Sequence, residues 1–322
     1  MVISLVLGIT VFHLHPMKLL TSKGDHHLHR QFPTHPNLHY RHYICVEFIG
    51  RLGNQMFQYG SAYGIGKAKG LSVRVSKVDL VSRYFNISAQ QVGNVNYCGR
   101  TMRIYEKYHC AYDERMLSIS NYYNWLVGPY LQSWKYFMNV TRHLRKEFRF
   151  KDHIAVKAKR IFYKAARKTK YFEKGETYVG LHIRRGDMVS LQKRNDSKNA
   201  GYNVAPRKYV LNAMQYFLRH HHRVTFVICS DDMNWVKSEL GRYSKLLNLM
   251  LIEKNHPAID MAVLAMCDHM IMTTGTFSWW AAWLAGGTTV YYKNFIREDS
   301  ILRKHFSEDY SDYYYPGWIA ME

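Results

Sequence analysis

Apolar residues in this chain come in short runs separated by glycine, proline and polar clusters, and from Tyr43 onward the runs become regular. Tyr43-Ile44-Cys45-Val46-Glu47-Phe48 reads as a buried strand and Gly50-Arg51-Leu52-Gly53-Asn54-Gln55 as a glycine-punctuated turn. Met56 to Lys69 predicts a helix with a close-packing face of Phe57, Gly60, Ala62, Tyr63, Gly64 and Ile65, and Leu71 to Val75 a second strand. That β-loop-α-β order is the unit of nucleotide-binding α/β sheets. Residues 76–130 follow no clear period, whereas Trp134 to Phe148 and Ile154 to Phe172 predict helices. A second alternation opens with strand Thr177–Arg184, followed by a polar loop from Ser190 to Tyr202 and a helix from Pro206 to Arg219. Strand Val224–Cys229, a helix capped by Asp231-Asp232, strand Leu249–Glu253 and helix Ile259–Cys267 come next. Strand His269–Thr273, helix Ser278–Ala285 and strand Thr288–Tyr292 complete the series. Such alternation predicts a parallel, doubly wound domain.

With 322 residues, the chain has room for roughly two domains. The expected layout is residues 1–42 as a short apolar signal-anchor and disordered His-rich stem, 43–175 as an N-terminal α/β domain, 176–295 as a C-terminal Rossmann-like domain, and 296–322 as a tail that packs back. Met1 to Phe12 is apolar and uncharged. It is shorter than the ~20 residues that span a bilayer, and its length suits a signal-peptide core or a shortened anchor. Residues 13–42 hold eight of the eighteen His with no periodicity, which reads as a disordered stem, with a metal-binding tract as the sharper alternative.

Composition narrows the function classes. Lys+Arg of 45 against Asp+Glu of 24 gives a net charge of +21, a field that attracts nucleotide sugars, acidic glycans, lipid headgroups or nucleic acid. No nucleic-acid-binding motif and no aromatic stacking platform accompanies the charge. The densest basic run, Lys157 to Lys174, carries an apolar stripe and reads as a solvated helix. Five cysteines are too few for a disulfide scaffold; Cys98 and Cys110 are the one close pair and could bridge a loop, with the pairing left open. No zinc spacing occurs, so no metal is expected. Asn86, Asn139 and Asn195 begin glycosylation sequons. The 26 Tyr and 7 Trp suit an aromatic core, or a surface that stacks on sugars.

Candidate chemistry concentrates at strand ends. His182-Ile183-Arg184-Arg185-Gly186-Asp187 places two guanidinium groups and a carboxylate at the C-terminal end of a buried strand, the end that faces the ligand crevice in open α/β sheets. Arginine forks match phosphate oxygens and keep their charge. Because strand side chains alternate, one arginine should reach the phosphates while the other makes structural contacts. The turn containing Arg51, Gly53, Asn54 and Gln55 offers backbone and side-chain donors before a helix. Thr274-Gly275-Thr276-Phe277-Ser278 is a second phosphate-type helix start, and Asp231 ends a neighbouring strand. The tryptophans Trp279, Trp280 and Trp283 read as packing residues, with a sugar- or base-lining role as the minority alternative.

In order and spacing, Gly50 to Tyr59, His182 to Asp187 and Thr274 to Leu284 together resemble the galactoside α-1,2-fucosyltransferases, over about Tyr43 to Tyr292. The resemblance implies a GT-B-like α/β fold, two Rossmann-like domains facing a central cleft, with residues 43–175 on the acceptor side and 176–295 binding the donor. It implies transfer from GDP-fucose to a β-galactoside acceptor, inversion at the fucose anomeric carbon, no required metal, and a Golgi membrane protein of single-pass type II topology with a lumenal catalytic domain. It carries the donor-linked role onto Arg184 and Arg185, and donor binding onto Arg51, Asn54 and Gln55. Asp187 and His182 are base candidates by proximity. The run before His13 lacks the short basic tail usual in the family. Alternatives are a fucosyltransferase acting on protein, a lectin-like relative, or a basic nucleic-acid binder. The paired arginines argue against the second, and the missing motifs against the third.

Overall fold

Buried apolar runs become the strands of two parallel sheets in this computed structural model, which describes residues 42–93, 96–193 and 201–322. The apolar start Met1 to Phe12, the His-rich stretch up to Arg41 and the Asn195 sequon lie outside the described residues. The first half contains β1 (Tyr43–Val46), α1 (Leu52–Lys69), β2 (Ser72–Ser76), α2 (Leu80–Tyr84), β3 (Gln90–Val92), β4 (Met102–Tyr105) and β5 (Trp125–Gly128). A 3-10 turn (Trp134–Val140) then leads to α3 (Thr141–Glu147) and α4 (Asp152–Ala166). The second half contains β6 (Thr177–Ile183), α5 (Gly186–Lys193), α6 (Arg207–His220), β7 (Val224–Ser230), α7 (Met233–Glu239) and β8 (Asn248–Leu251). It continues through α8 (Pro257–Leu264), β9 (His269–Met272), α9 (Thr276–Ala285), β10 (Thr289–Tyr292) and β11 (Ile319–Met321).

The sheet orders are β3-β2-β1-β5-β4 and β11-β10-β9-β6-β7-β8. Central strands β1 and β7 are buried at every residue, which is why they read as unbroken apolar runs rather than alternating ones. Strand β3 and the mostly exposed β4 lie at the two edges of their sheet, and such short edge strands left residues 76–130 without a legible period.

Several elements depart from the sequence reading. Helix α1 begins at Leu52, so Gly53, Asn54 and Gln55 form its first turn rather than a preceding loop. First-turn residues need no intrahelical N–H partner, so glycine there does not break the helix. Ser190 sits in α5, so the polar loop starts later than expected. The segment from Trp134 to Phe148 is divided, a 3-10 turn followed by α3. Helix α4 buries Ile154, Ala158, Phe162 and Ala166 at four-residue intervals and packs on α8, leaving Lys157, Lys159, Arg160 and Lys164 in solvent.

The disulfide joins Cys45 to Cys98 rather than the near pair Cys98 and Cys110, and Cys110 is a buried free thiol. Proximity in sequence misled because β1 carries Cys45 to the loop holding Cys98, where the Tyr43 hydroxyl also donates to the Cys98 carbonyl at 2.7 Å. The bridge spans a separation of 53 residues. Cys45→Ser is expected to cost about 2–4 kcal/mol, read as a lowered midpoint in thermal unfolding under non-reducing conditions. Asn86 and Asn139 are both exposed, and the Ser88 hydroxyl of the first sequon donates to buried Glu147 at 2.7 Å.

Helix α9 joins the halves. Trp279, Trp280 and Trp283 are at most 1% exposed. Phe57 of α1 lies 4.6 Å from Trp279 and 5.0 Å from Trp280, and Phe137 lies 5.4 Å from Trp280. The C-terminal segment binds both halves, since β11 pairs with β10 and Asp312 accepts from the Tyr112 N–H at 2.8 Å.

Candidate active site

The N-terminus of α1 meets the N-terminus of α9 where the C-terminal edges of the two sheets face each other. Thr276 Oγ1 donates to Asn54 Oδ1 at 2.7 Å. A Cβ on Gly53 would stand 2.6 Å from the Phe277 backbone nitrogen, so only glycine permits this approach. Two helix ends with unpaired N–H groups and positive dipole poles thus point into one crevice.

Arg184 emerges from β6 beside them. Its backbone N–H donates to Thr273 Oγ1 at 3.1 Å, and that hydroxyl donates to the His182 carbonyl at 3.2 Å, tying the ends of β6 and β9. Its guanidinium donates to both oxygens of Asp187, from Nε at 3.2 Å and Nη2 at 2.8 Å. Arg51 Nη1 lies 3.4 Å from the same carboxylate. The Arg184 fork holds the Asp187 carboxyl below its usual range. Gly275, at φ 88°, leaves room for Arg184, whose Nη1 would lie 2.7 Å from an added Cβ.

Arg185 turns to the other face. Its guanidinium lies 4.3 Å over the Trp235 ring and 3.6 Å from Asp232, while its backbone N–H donates to Asp231 at 2.8 Å. The Gly186 N–H donates to Asp231 as well, at 3.2 Å, so Asp231 holds the turn after β6. Asp232 caps α7 through the Trp235 N–H at 3.0 Å. The Gln55 side chain also points away from the crevice, accepting from the Leu80 N–H at 2.8 Å.

His182 is buried beneath Arg184 with its ring 4.7 Å from Phe277. Its Nδ1 lies 2.5 Å from Ser278 Oγ, whose own hydrogen goes to the Thr274 carbonyl at 3.1 Å. Donor accounting therefore assigns the ring proton to Nδ1. Burial, helped by the Arg184 charge, pushes the imidazole down to about 3. The unfolded chain takes up that proton below its ordinary 6.5, so stability present at neutral pH falls as pH drops from 6.5 toward 3. Melting temperatures measured across this range should decline less steeply in His182→Gln. Thr274 is fully buried, and its hydroxyl has no partner among the described residues.

The structure thus brings Arg51, Gly53, Asn54, Arg184, Asp187, Gly275 and Thr276 to one crevice, with His182, Phe277 and Ser278 packed behind it. Thr273 stands at the head of the Thr-Gly-Thr motif, and its hydroxyl locks the ends of β6 and β9, a role that rests on contacts between distant strands. Among the described residues, no group of three His, Cys, Asp or Glu is placed to hold a metal ion.

Comparison with known proteins agrees with this architecture. Residues 29–322 match the family model described as Glycosyl transferase family 11. Galactoside alpha-(1,2)-fucosyltransferase 2 of Sus scrofa is 31% identical over 284 residues, covering 86% of this chain and 79% of the relative. Its Rattus norvegicus counterpart is 30% identical over 316 residues, covering 95% and 85%. Among solved structures, an Arabidopsis thaliana FUT1 variant in complex with GDP aligns with a TM-score of 0.53 at 12% identity, covering 78% of this chain and 70% of that one. POFUT1 in complex with GDP aligns at 0.52 and 11% identity, covering 78% and 98%. The two parallel sheets and these alignments define a fold of the GT-B type, two Rossmann-like halves about a central cleft. The chain belongs to glycosyl transferase family 11.

Proposed function

We propose that this chain transfers fucose from GDP-fucose to the 2-hydroxyl of a β-galactoside, inverting the anomeric carbon and needing no divalent metal. The observation that carries the reading is the convergence of Arg184, Arg51 and two helix N-termini on one crevice. The leaving group is a nucleoside diphosphate whose negative charge grows as the sugar departs. Fixed cations and aligned N–H groups stabilise that charge without reorganising. In this reading Arg184 holds the diphosphate, with Asp187 fixing the guanidinium plane and Arg51 closing the exposed side. Asn54, Thr276 and the N–H groups around Gly53 and Gly275 supply further donors. The buried Thr274 hydroxyl, without a partner among the described residues, stands next to this site. Arg185, Asp231, His182 and Ser278 act by holding the turn and strand in place, and Gln55 by anchoring α2.

Support comes from the family membership and from the named activity of the relatives, galactoside alpha-(1,2)-fucosyltransferases. The proposed compartment is the Golgi membrane, with the catalytic part lumenal. The Cys45–Cys98 disulfide supports an oxidising compartment. No described helix is long and apolar enough to cross a membrane, and the Met1 to Phe12 run proposed as the anchor lies outside the described residues.

Incubation with labelled GDP-fucose and a panel of β-galactosides, followed by linkage analysis, tests the reading. The expected product is an α-1,2-fucosylated galactoside, formed at the same rate with and without EDTA. Transfer only to a folded protein acceptor, or loss of activity on chelation, would contradict it.

A further inference from the structure

Fucosyl transfer needs a proton acceptor as well as a phosphate clamp, and the groups nearest Arg184 are poorly suited. His182 is buried with Nδ1 bonded to Ser278, and Asp187 is committed to two arginines. A second cluster stands at the C-terminal edge of the other sheet. Glu106 follows β4, and Tyr130 follows β5. The Glu106 side chain is 0% exposed, and its Oε1 accepts from the backbone N–H groups of Tyr130 at 3.0 Å and Leu131 at 3.2 Å. The same oxygen lies 3.1 Å from His109 Nδ1, while Oε2 is buried with no partner among the described residues. His109 is 32% exposed, its ring 4.6 Å from Tyr130 and 4.3 Å from the parallel ring of His305. Its Nε2 has no partner among the described residues.

We propose that His109 is the general base that takes the proton of the acceptor hydroxyl, with Glu106 as the positioning carboxylate behind it. The proposal rests on the fucosyl-transfer reading. A carboxylate on Nδ1 fixes that nitrogen as the donor, leaves the Nε2 lone pair outward and stabilises the imidazolium. As the acceptor oxygen bonds to the fucose anomeric carbon, its proton passes to Nε2. The bond from that carbon to the diphosphate oxygen breaks, and its electron pair leaves with GDP. The imidazolium then releases the proton to water.

Location supports the assignment. The His109 carbonyl accepts from the Gln132 N–H at 2.8 Å, and Gln132 Nε2 donates to Asn54 Oδ1 at 3.4 Å, the atom that also accepts from Thr276. The titratable groups around His109 are Glu106, Tyr130 and His305, with Lys107, Tyr108 and the buried Cys110 beside it in the chain.

The test is the pH dependence of kcat at saturating GDP-fucose with a lactose-type acceptor, alongside calorimetric GDP binding and thermal melting. His109→Gln should lower kcat ~100-fold, within the range for losing a general base, and remove the acid limb. GDP affinity should stay within about twofold, because uniform binding is untouched. Glu106→Gln keeps an acceptor for the two backbone N–H groups and should shift the acid limb to lower pH. His305→Phe keeps the ring stack and should leave the limb in place. A His109→Gln enzyme that keeps wild-type kcat and its acid limb overturns the assignment, as does a limb lost in His305→Phe. If His109→Gln fails to fold, an unshifted limb in Glu106→Gln overturns it alone. Failure of the wild-type protein to bind GDP or transfer fucose sinks the underlying reading, and this assignment with it. Normal transfer by His109→Gln sinks only the assignment.

Discussion

Arg184→Ala is expected to lower kcat for fucose transfer by about 10²–10³-fold, the cost of removing one preorganised donor aimed at developing charge. The loss should fall on kcat rather than on KM for GDP-fucose, since in the proposed site Arg51 and the helix N-termini would still hold the ground-state diphosphate. Arg184→Lys should fall between. It keeps a positive charge but cannot donate to both Asp187 oxygens in one plane, as Nε and Nη2 do at 3.2 and 2.8 Å. Steady-state kinetics of the two variants beside wild type decide the matter. Turnover near wild type in Arg184→Ala would remove the phosphate clamp from the mechanism.

Trp280→Ala should destabilise the protein by about 3–5 kcal/mol, the usual cost of deleting a large buried aromatic side chain. Trp280 is fully buried, with Phe57, Phe137, Phe148, Trp279 and Trp283 all within 5.4 Å of its ring. These rings come from α1, the 3-10 turn, the end of α3 and α9, so a cavity there loosens the joint between the halves. Differential scanning calorimetry should show a melting temperature lower by about 10 °C for a chain of this size. Trp280→Phe should recover most of the loss, because the indole Nε1 makes no hydrogen bond among the described residues. Equal melting of Trp280→Ala and wild type would mean that α9 does not carry the junction.

Much of the second half was legible because its strands are buried on both faces. β6 and β7 appear as apolar runs bounded by polar turns, and their predicted limits differ from the observed ones by one residue. That Arg184 and Arg185 point to different faces follows from strand alternation, which carries past the end of β6 onto the following residues. Residues 76–130 resisted because β3 and β4 are short and lie at sheet edges, where packing imposes little periodicity. The Cys45–Cys98 bridge and the Glu106–His109 pair were hidden for different reasons. The bridge depends on strand order, which places a central strand beside a distant loop. The pair is close in sequence, but it gains meaning only from the backbone of residues 130 and 131 and from the ring of His305.

From the sequence alone came the α/β class, the three strand-end motifs and the anion-attracting charge, because periodicity and residue type are local properties of the chain. The tertiary structure alone decided which donors share a crevice, which cysteine pairs with Cys98, and that His182 lies beneath the site rather than in it. Those facts depend on contacts across long separations, such as the 222 residues between Asn54 and Thr276, and no local pattern encodes the approach of two helix ends.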